Sequence, residues 1–196
     1  ADNIFKQAVA QGQTFSVSTG DAGSNECGGG PRGTTPSWPA SSPYVVAVGG
    51  TTLNATTTTW QGETVWSSTG GSPSTFEPMP SWQVGVGQNA GHTTRGLPDI
   101  AFDADPNSGA KIIVNGSLSQ WGGTSLSSPL FVGFWARMIA AKGTGIGFAA
   151  PKLYQLPASA FHDVTSGSNG AESAAPGWDY CTGFGSIIMS QAAGSL

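Results

Sequence analysis

The chain has 196 residues, of which only 9% are charged, with seven basic against eleven acidic side chains and a net charge of −4. So few and so scattered cations build no phosphate-binding face, which speaks against a nucleic-acid partner. No apolar run approaches the ~18 residues of a membrane span, and 38% apolar content with seven Trp is not the composition of a disordered chain. The length suits one domain, or a large part of one, with a substantial core. Carboxylates are scarce too, so acid would abolish few native ion pairs. That composition suits a secreted protein in an acidic setting, and equally an uncharged extracellular surface.

The first thirteen residues, "ADNIFKQAVAQGQ", read as an amphipathic helix with Ile4, Phe5, Ala8 and Val9 on one face and Gly12 as its stop. A chain that opens inside a helix suggests that a segment upstream is missing. "TFSVSTGDAGS" follows as a short alternating strand closed by a glycine turn, with Asp21 at its carboxyl end. Residues 24–43 form a Gly/Pro/Ser loop, and "YVVAVGGTTL" is a buried β-branched strand. Residues 54–94, rich in Thr, Ser and Gly, read as loop and short strands. "LPDIAFDAD" and "AKIIVNGSLSQWGG" are strands, the latter folded as a hairpin at Asn115-Gly116.

From Ser125, apolar residues at helical spacing (Leu130, Phe131, Phe134, Trp135, Met138, Ile139) run to Lys142-Gly143, a basic last turn and a glycine stop. Pro129 is tolerated in a first turn, which places the helix start near Leu126 to Ser128. A short helix, "APKLYQL", and a glycine-rich tail complete the chain. Strands alternating with buried helices point to an α/β fold with a mainly parallel sheet.

Three constellations carry chemical options. Ser125, after Gly122-Gly123, sits where a helix N-terminus would favour an oxyanion, yet a simple N-cap serine explains the same pattern. Its base is missing: His92 lies in a polar loop and His162 beside Asp163, neither in a strand-end setting. Asp21, in "STGDAG", lies where open α/β sheets bind ligands, or forms an Asx turn. Asp163 and Asp179 bracket a loop of small residues whose carbonyls, with the two carboxylates, are the hard oxygen donors calcium takes. Cys27 and Cys181 are compatible with one disulfide.

Taken together, "GQTFSVSTGDAG", "WPASSPYVVAVGGTTL", "LPDIAFDADP", "GGTSLSSPLFVGFWAR", "HDVTSGSNG" and "PGWDYCTGFGS" resemble, in order, the sedolisin family of serine-carboxyl peptidases, and in particular its bacterial sedolisin and xanthomonalisin branch. The resemblance implies a subtilisin-like three-layer α/β fold with a mainly parallel central sheet, of which residues 1–196 would be the C-terminal part. It implies hydrolysis of a peptide or protein substrate with Ser125 as nucleophile and Asp21 as oxyanion donor. The Glu base and its Asp partner would come from an upstream segment or a second chain. The strand Ser18, Thr19 and Gly20 would line the substrate. Outside the resemblance, Arg32 reads as a solvated loop arginine rather than one that reaches an acidic or polar P1 side chain. Calcium would bind at about 161–185 through Asp163 and Asp179 and the carbonyls of Val164, Ala175 and Gly177, with alanine at 175 where the family has glycine. Cys27 would pair with an upstream cysteine and Cys181 stay a buried thiol. The enzyme would be secreted and extracellular, with no membrane or nucleic-acid partner. Two other readings remain: an inactive, calcium-stabilised binding module of the same fold, and a β-rich glycan-binding module lacking the helix after Ser125.

Overall fold

The computed structural model describes residues 2–28 and 33–195, so Arg32 lies outside the described residues. Helix α1 (Asp2–Ala10) ends at Gly12, whose φ of 75° suits only glycine well. Its apolar face is half used. Ala8 is buried and Phe5 meets Phe15 edge-on at 5.2 Å, but Ile4 remains exposed.

The centre of the fold is strand β2 (Val46–Ala55), whose first six residues are all buried. β1 (Ser16–Ser18) runs parallel to its start, with Ser16 opposite Val46 and Ser18 opposite Val48. β3 (Trp60–Val65) returns antiparallel along the same edge further on, from Thr51↔Val65 to Ala55↔Trp60. β4 (Pro73–Pro78) and β5 (Thr94–Gly96) pair with each other. β6 (Ile100–Asp103) then runs parallel to the opposite edge of β2, Val48↔Ile100 through Thr51↔Asp103. The central sheet is therefore parallel around β2 and antiparallel only at β3, while the outlying ladders are all antiparallel. A hairpin of β7 (Ala110–Val114) and β8 (Ser117–Trp121) turns at Asn115 and Gly116, with φ of 52° and 78°. Two positive φ values in a two-residue loop make the primed turn that the Asn-Gly pair favours.

Helix α2 (Thr124–Lys142) supplies most of the core. Its Phe131, Phe134, Trp135 and Met138 pack on Val46, Val48 and Ile100, whereas the other sheet face is covered by Ala40, Leu97 and Val17 around Ala47. This helix rules out the β-rich glycan-binding reading. The helix ends as expected at Gly143, in the left-handed region with φ of 69°, its N–H bonded to Ile139 and Ala140 carbonyls. It starts earlier than Pro129 suggested. Thr124 is the first helical residue, so Pro129 lies in the second turn and withholds the N–H that the Ser125 carbonyl would otherwise receive.

The remaining elements close the structure: α3 (Ala150–Leu153), the two-residue strands β9 (Phe161–His162) and β10 (Ser186–Ile187), and α4 (Met189–Ala192). One buried polar network ties the parts together. Arg95 and Asp99, both fully buried, form an ion pair at 2.7 Å, and Asp99 also accepts hydrogen bonds from the Ala47 N–H and the Tyr154 hydroxyl, 2.8 Å each. No helix among the described residues is long and apolar enough to cross a membrane.

Candidate active site

The stretch Thr124-Ser125-Leu126-Ser127-Ser128 opens α2, and each hydroxyl has a separate task. Ser127 Oγ donates to the Gly49 carbonyl of β2 and accepts from the Phe102 N–H of β6 at 3.0 Å. Ser128 Oγ lies 2.6 Å from Ser16 Oγ on β1, and Ser16 Oγ also donates to the Ser128 carbonyl at 3.0 Å. Ser18 Oγ donates to the Thr124 carbonyl at 2.9 Å. Three strands thus hold the first turn of the helix in place. Ser125 alone is exposed and makes no side-chain hydrogen bond among the described residues. It is not the helix cap, because the N-cap is Gly123 and Ser125 is the second helical residue.

The cap comes from another part of the chain. Asp21, just beyond β1, accepts hydrogen bonds on Oδ1 from the Thr124 N–H at 2.7 Å and from Thr124 Oγ1 at 2.8 Å. A carboxyl at this place satisfies one of the orphan donors of the helix end. Thr124 Oγ1 in turn accepts from the Gly20 N–H at 3.1 Å. Asp21 Oδ2 faces Gly123, where a Cβ would lie only 2.7 Å from it, and the Gly123 φ of 86° also disfavours any side chain. The Gly122-Gly123 pair therefore does two jobs: it turns the chain and leaves room for the second oxygen of Asp21.

Ser18, Thr19 and Gly20 turn much of their hydrogen-bonding capacity inward. Thr19 is buried, its N–H bonded to the Val48 carbonyl and its own carbonyl to Ser37 Oγ at 3.2 Å. Gly20 uses its N–H on Thr124 and its carbonyl on the Gly70 N–H. With their backbone groups consumed internally, these residues position Asp21 and Thr124 rather than present hydrogen bonds outward. Sequence reading missed Thr124 as well. Its only local signal was a cluster of four hydroxyls at the mouth of an apolar helix.

Neither histidine serves Ser125. His162 stacks on Trp60 at 3.9 Å and 8°, and burial lowers its pKa, while His92 sits edge-on to Tyr180 at 6.1 Å. Of the glutamates, Glu26 is bound to the Ala22 N–H at 2.7 Å, and Glu63 to Trp60 Nε1 at 3.1 Å and Ser186 Oγ at 2.8 Å. None of these bonds runs to Ser125.

In the tail the two aspartates each accept a backbone hydrogen bond from the loop between them. The Gly177 N–H donates to Asp163 Oδ2 and the Ala175 N–H to Asp179 Oδ2, at 2.9 Å each. Asp179 is fully buried, and its Oδ1 accepts from the N–H groups of Cys181 and Thr182 at 2.8 Å. Burial raises its pKa, against the lowering effect of those bonds. The carbonyl oxygens of Val164, Ala175 and Gly177 accept no hydrogen bond among the described residues, although Val164 itself is buried. Ala175 is half-buried and Gly177 exposed, so water can reach both. No group of three or more His, Cys, Asp or Glu side chains suited to a metal occurs among the described residues, so two carboxylates are all that side chains would contribute.

Both cysteines are thiols, which removes the option of an internal disulfide. Cys27 is exposed, with its Sγ 3.8 Å from the Pro36 carbonyl, and Cys181 is fully buried. Burial, reinforced by the charge of Asp179, pushes the Cys181 thiol up to about 12 from an ordinary 9.0. Its contribution to stability is then complete below pH 9 and lost as pH rises toward the folded value. A thiol-reactive dye is expected to modify Cys27 in the native protein and Cys181 only after denaturation, as read by peptide mass spectrometry; native modification of Cys181 would contradict its burial.

Asp21 thus caps a sheet-packed helix one residue before the exposed Ser125, beyond the carboxyl end of β1 in a parallel α/β sheet. Residues 1–175 match the profile of the subtilase family. The chain is 49% identical over 97% of its length to sedolisin of Pseudomonas sp. (strain 101), and 47% identical over 95% to xanthomonalisin of Xanthomonas sp. (strain T-22). It spans 36% and 27% of the lengths of these two relatives. The solved structure of Pseudomonas sedolisin, a serine-carboxyl proteinase complexed with two molecules of pseudo-iodotyrostatin, superposes with a TM-score of 0.91 at 45% identity, covering 98% of this chain and 58% of that one. Sphericase, at 19% identity and a TM-score of 0.54, shares the fold. The chain therefore belongs to the subtilase family, within its sedolisin branch.

Proposed function

We propose that this chain supplies the nucleophile and the oxyanion-hole carboxyl of a serine-carboxyl endopeptidase that acts in acid. The observation that carries the reading is the pinning of Asp21 Oδ1 by both donors of Thr124, one residue before an unengaged Ser125. With Oδ1 occupied as an acceptor, Oδ2 is the oxygen left to carry a proton and point it at a substrate oxyanion.

In this mechanism a glutamate, oriented by an aspartate and contributed by an upstream segment or a second chain, takes the proton of Ser125 Oγ. Ser125 then attacks the scissile carbonyl carbon. The negative oxygen of the tetrahedral intermediate receives hydrogen bonds from protonated Asp21 and from the Ser125 backbone N–H at the positive end of α2. The amine leaves with the proton, and water releases the acyl group by the reverse sequence. A carboxyl donates only while protonated, which ties the reaction to acid pH. The strands Ser16–Ser18 and Val46–Ala55 and the anchors on Ser127 and Ser128 keep the helix end fixed while charge develops.

Asp21 gives the direct test, made on this chain together with the upstream segment or second chain that carries the Glu and Asp. Asp21→Ala is expected to lower kcat by about 10²–10³-fold, the loss typical of one oxyanion donor. Asp21→Asn keeps a donor at every pH and is expected to retain most activity while extending it toward neutral pH. Equal losses for both variants, or an unchanged alkaline limb in Asp21→Asn, would remove Asp21 from this role.

Secretion into an acidic medium fits the same chain. Burial raises the carboxyl groups of Glu63 and Asp103, so their contribution to stability is intact below the ordinary carboxylate range and is lost as pH rises through their folded values. Calcium completes the proposal, held by Asp163 and Asp179 with the carbonyls of Val164, Ala175 and Gly177; bound there, it would neutralise a buried carboxylate and brace the tail. Chelation at neutral pH is expected to lower Tm, since calcium at 100 times its Kd stabilises by about 2.7 kcal/mol. An unchanged Tm would count against the site.

A further inference from the structure

Beyond β1 the chain turns at two glycines in positive φ, Gly20 at 109° and Gly23 at 74°, with Asp21 and Ala22 between them. Backbone this permissive leaves the direction of the Asp21 side chain to its anchors. Gly20 is held by Thr124 Oγ1 and by the Gly70 N–H, and the Gly23 N–H donates to the Ser68 carbonyl at 2.9 Å. The peptide that joins Asp21 to Ala22 has an anchor of its own. Its N–H donates at 2.7 Å to Oε2 of Glu26, four residues on.

Local chemistry explains this bond. Gly23–Asn25 is a single 3-10 turn whose N-cap is Ala22, a residue with no side-chain oxygen to cap it. Glu26 reaches back instead to the N–H of the capping residue, as the carboxylate of a capping box does. Its half-buried carboxyl lies over Gly20, where a Cβ would overlap it. Glu26 therefore touches both neighbours of Asp21, bonding to Ala22 and packing on Gly20. The Gly20 N–H in turn bonds Thr124 Oγ1, the hydroxyl that donates to Asp21 Oδ1.

We propose that Glu26 is a positioning residue for the reaction: it fixes the Asp21–Ala22 peptide so that Asp21 keeps Oδ1 on Thr124 and leaves Oδ2 for the substrate oxyanion. This rests on the reading of Asp21 as the oxyanion donor. Glu26 touches no reacting atom and acts as a hydrogen-bond acceptor rather than as a charge. A protonated carboxyl still accepts through its carbonyl oxygen, so the anchor persists in acid. Glutamine keeps that acceptor on a stem of the same length, and alanine removes it.

The Thr124 N–H donates to Asp21 Oδ1, so its hydrogen exchange reports whether Asp21 is in place. In the 196-residue chain, Glu26→Ala is expected to speed that exchange about tenfold, the scale of one hydrogen bond to a charged group, and Glu26→Gln to restore it to within about twofold. The buried Ala47 N–H should exchange at one rate in all three proteins, whereas a general loss of stability would speed it as well. Glu26→Asp, a methylene too short to reach Ala22, gives the same readout should Glu26→Ala misfold. With the segment or chain that supplies the Glu and Asp present, Glu26→Ala should lower kcat about tenfold with KM within about twofold, and should add nothing to the loss in Asp21→Ala. Unchanged Thr124 exchange in Glu26→Ala, a Glu26→Gln that behaves like Glu26→Ala, or losses that multiply in the double variant would overturn the proposal. An Asp21→Ala enzyme with full kcat would remove the reading of Asp21 itself, and this proposal with it, whatever the exchange rates show.

Discussion

Ser125→Ala, made in this chain and assayed with the segment or chain proposed to supply the Glu and Asp, is expected to lower kcat for peptide hydrolysis by on the order of 10⁶-fold while leaving the fold intact. That is the scale on which a serine nucleophile contributes when base and oxyanion hole remain. The size of the effect follows from how the helix start is built. Ser127 and Ser128 are committed to β1, β2 and β6, and Thr124 to Asp21, so none of these neighbouring hydroxyls is placed to substitute for Ser125. Because Ser125 is exposed and its side chain bonds nothing among the described residues, its truncation creates no cavity and strands no partner there, so Tm should move by less than a degree or two. Ser127→Ala forms the matching control. It should destabilise by about 1–3 kcal/mol by leaving the Phe102 N–H unpaired in the interior. Loss of activity in Ser127→Ala with full activity in Ser125→Ala would reverse the assignment.

Asp99→Ala is expected to cost about 3–5 kcal/mol of folding stability, a large share of the 5–15 kcal/mol typical of a domain. Asp99 and Arg95 are both fully buried, and removal of the carboxylate leaves a guanidinium with no counter-charge. It also strands the Ala47 N–H at the heart of β2 and the Tyr154 hydroxyl, which burial and the Asp99 charge hold well above its ordinary pKa and therefore keep as a donor. Arg95 would keep the Gly96 carbonyl, the Tyr154 hydroxyl and the face of Trp82, 5.0 Å away. Urea unfolding measures the loss directly. A cost under 1 kcal/mol would mean that the network is dispensable, as replacing a whole buried ion pair by apolar groups sometimes is. Asp99→Asn should fall between the two, retaining acceptors for Ala47 but not the charge.

These two sites differ in how far the sequence announced them. Strand β2 was legible because six successive apolar and small residues can only be buried, and α2 because its large apolar side chains recur at helical spacing up to Lys142-Gly143. The Asn115-Gly116 hairpin was legible from turn chemistry alone. The start of α2 was not, because the group that caps it lies 103 residues away, and Pro129 invited a later start. The same distance hid Thr124, whose partner is Asp21. Ser18 to Gly20 looked like an open strand edge, yet the hydroxyl of Thr124 and the Gly70 N–H claim the polar groups of Gly20. Arg95 and Asp99 left no periodic trace at all, since their pairing depends on how β5, β6 and α3 meet. Motif order, rather than any single spacing, pointed to Asp21, Ser125 and the tail carboxylates together.

The central claim is that Ser125 forms a covalent acyl-enzyme. It is tested most directly by mixing this chain and the segment or chain proposed to supply the Glu and Asp with a peptide substrate in acid, quenching within one turnover, and locating the acyl group by peptide mass spectrometry. The expected result is a single adduct on the peptide containing Ser125, absent from Ser125→Ala and weaker in Asp21→Ala. Turnover with no adduct, or an adduct on any other residue, would contradict it.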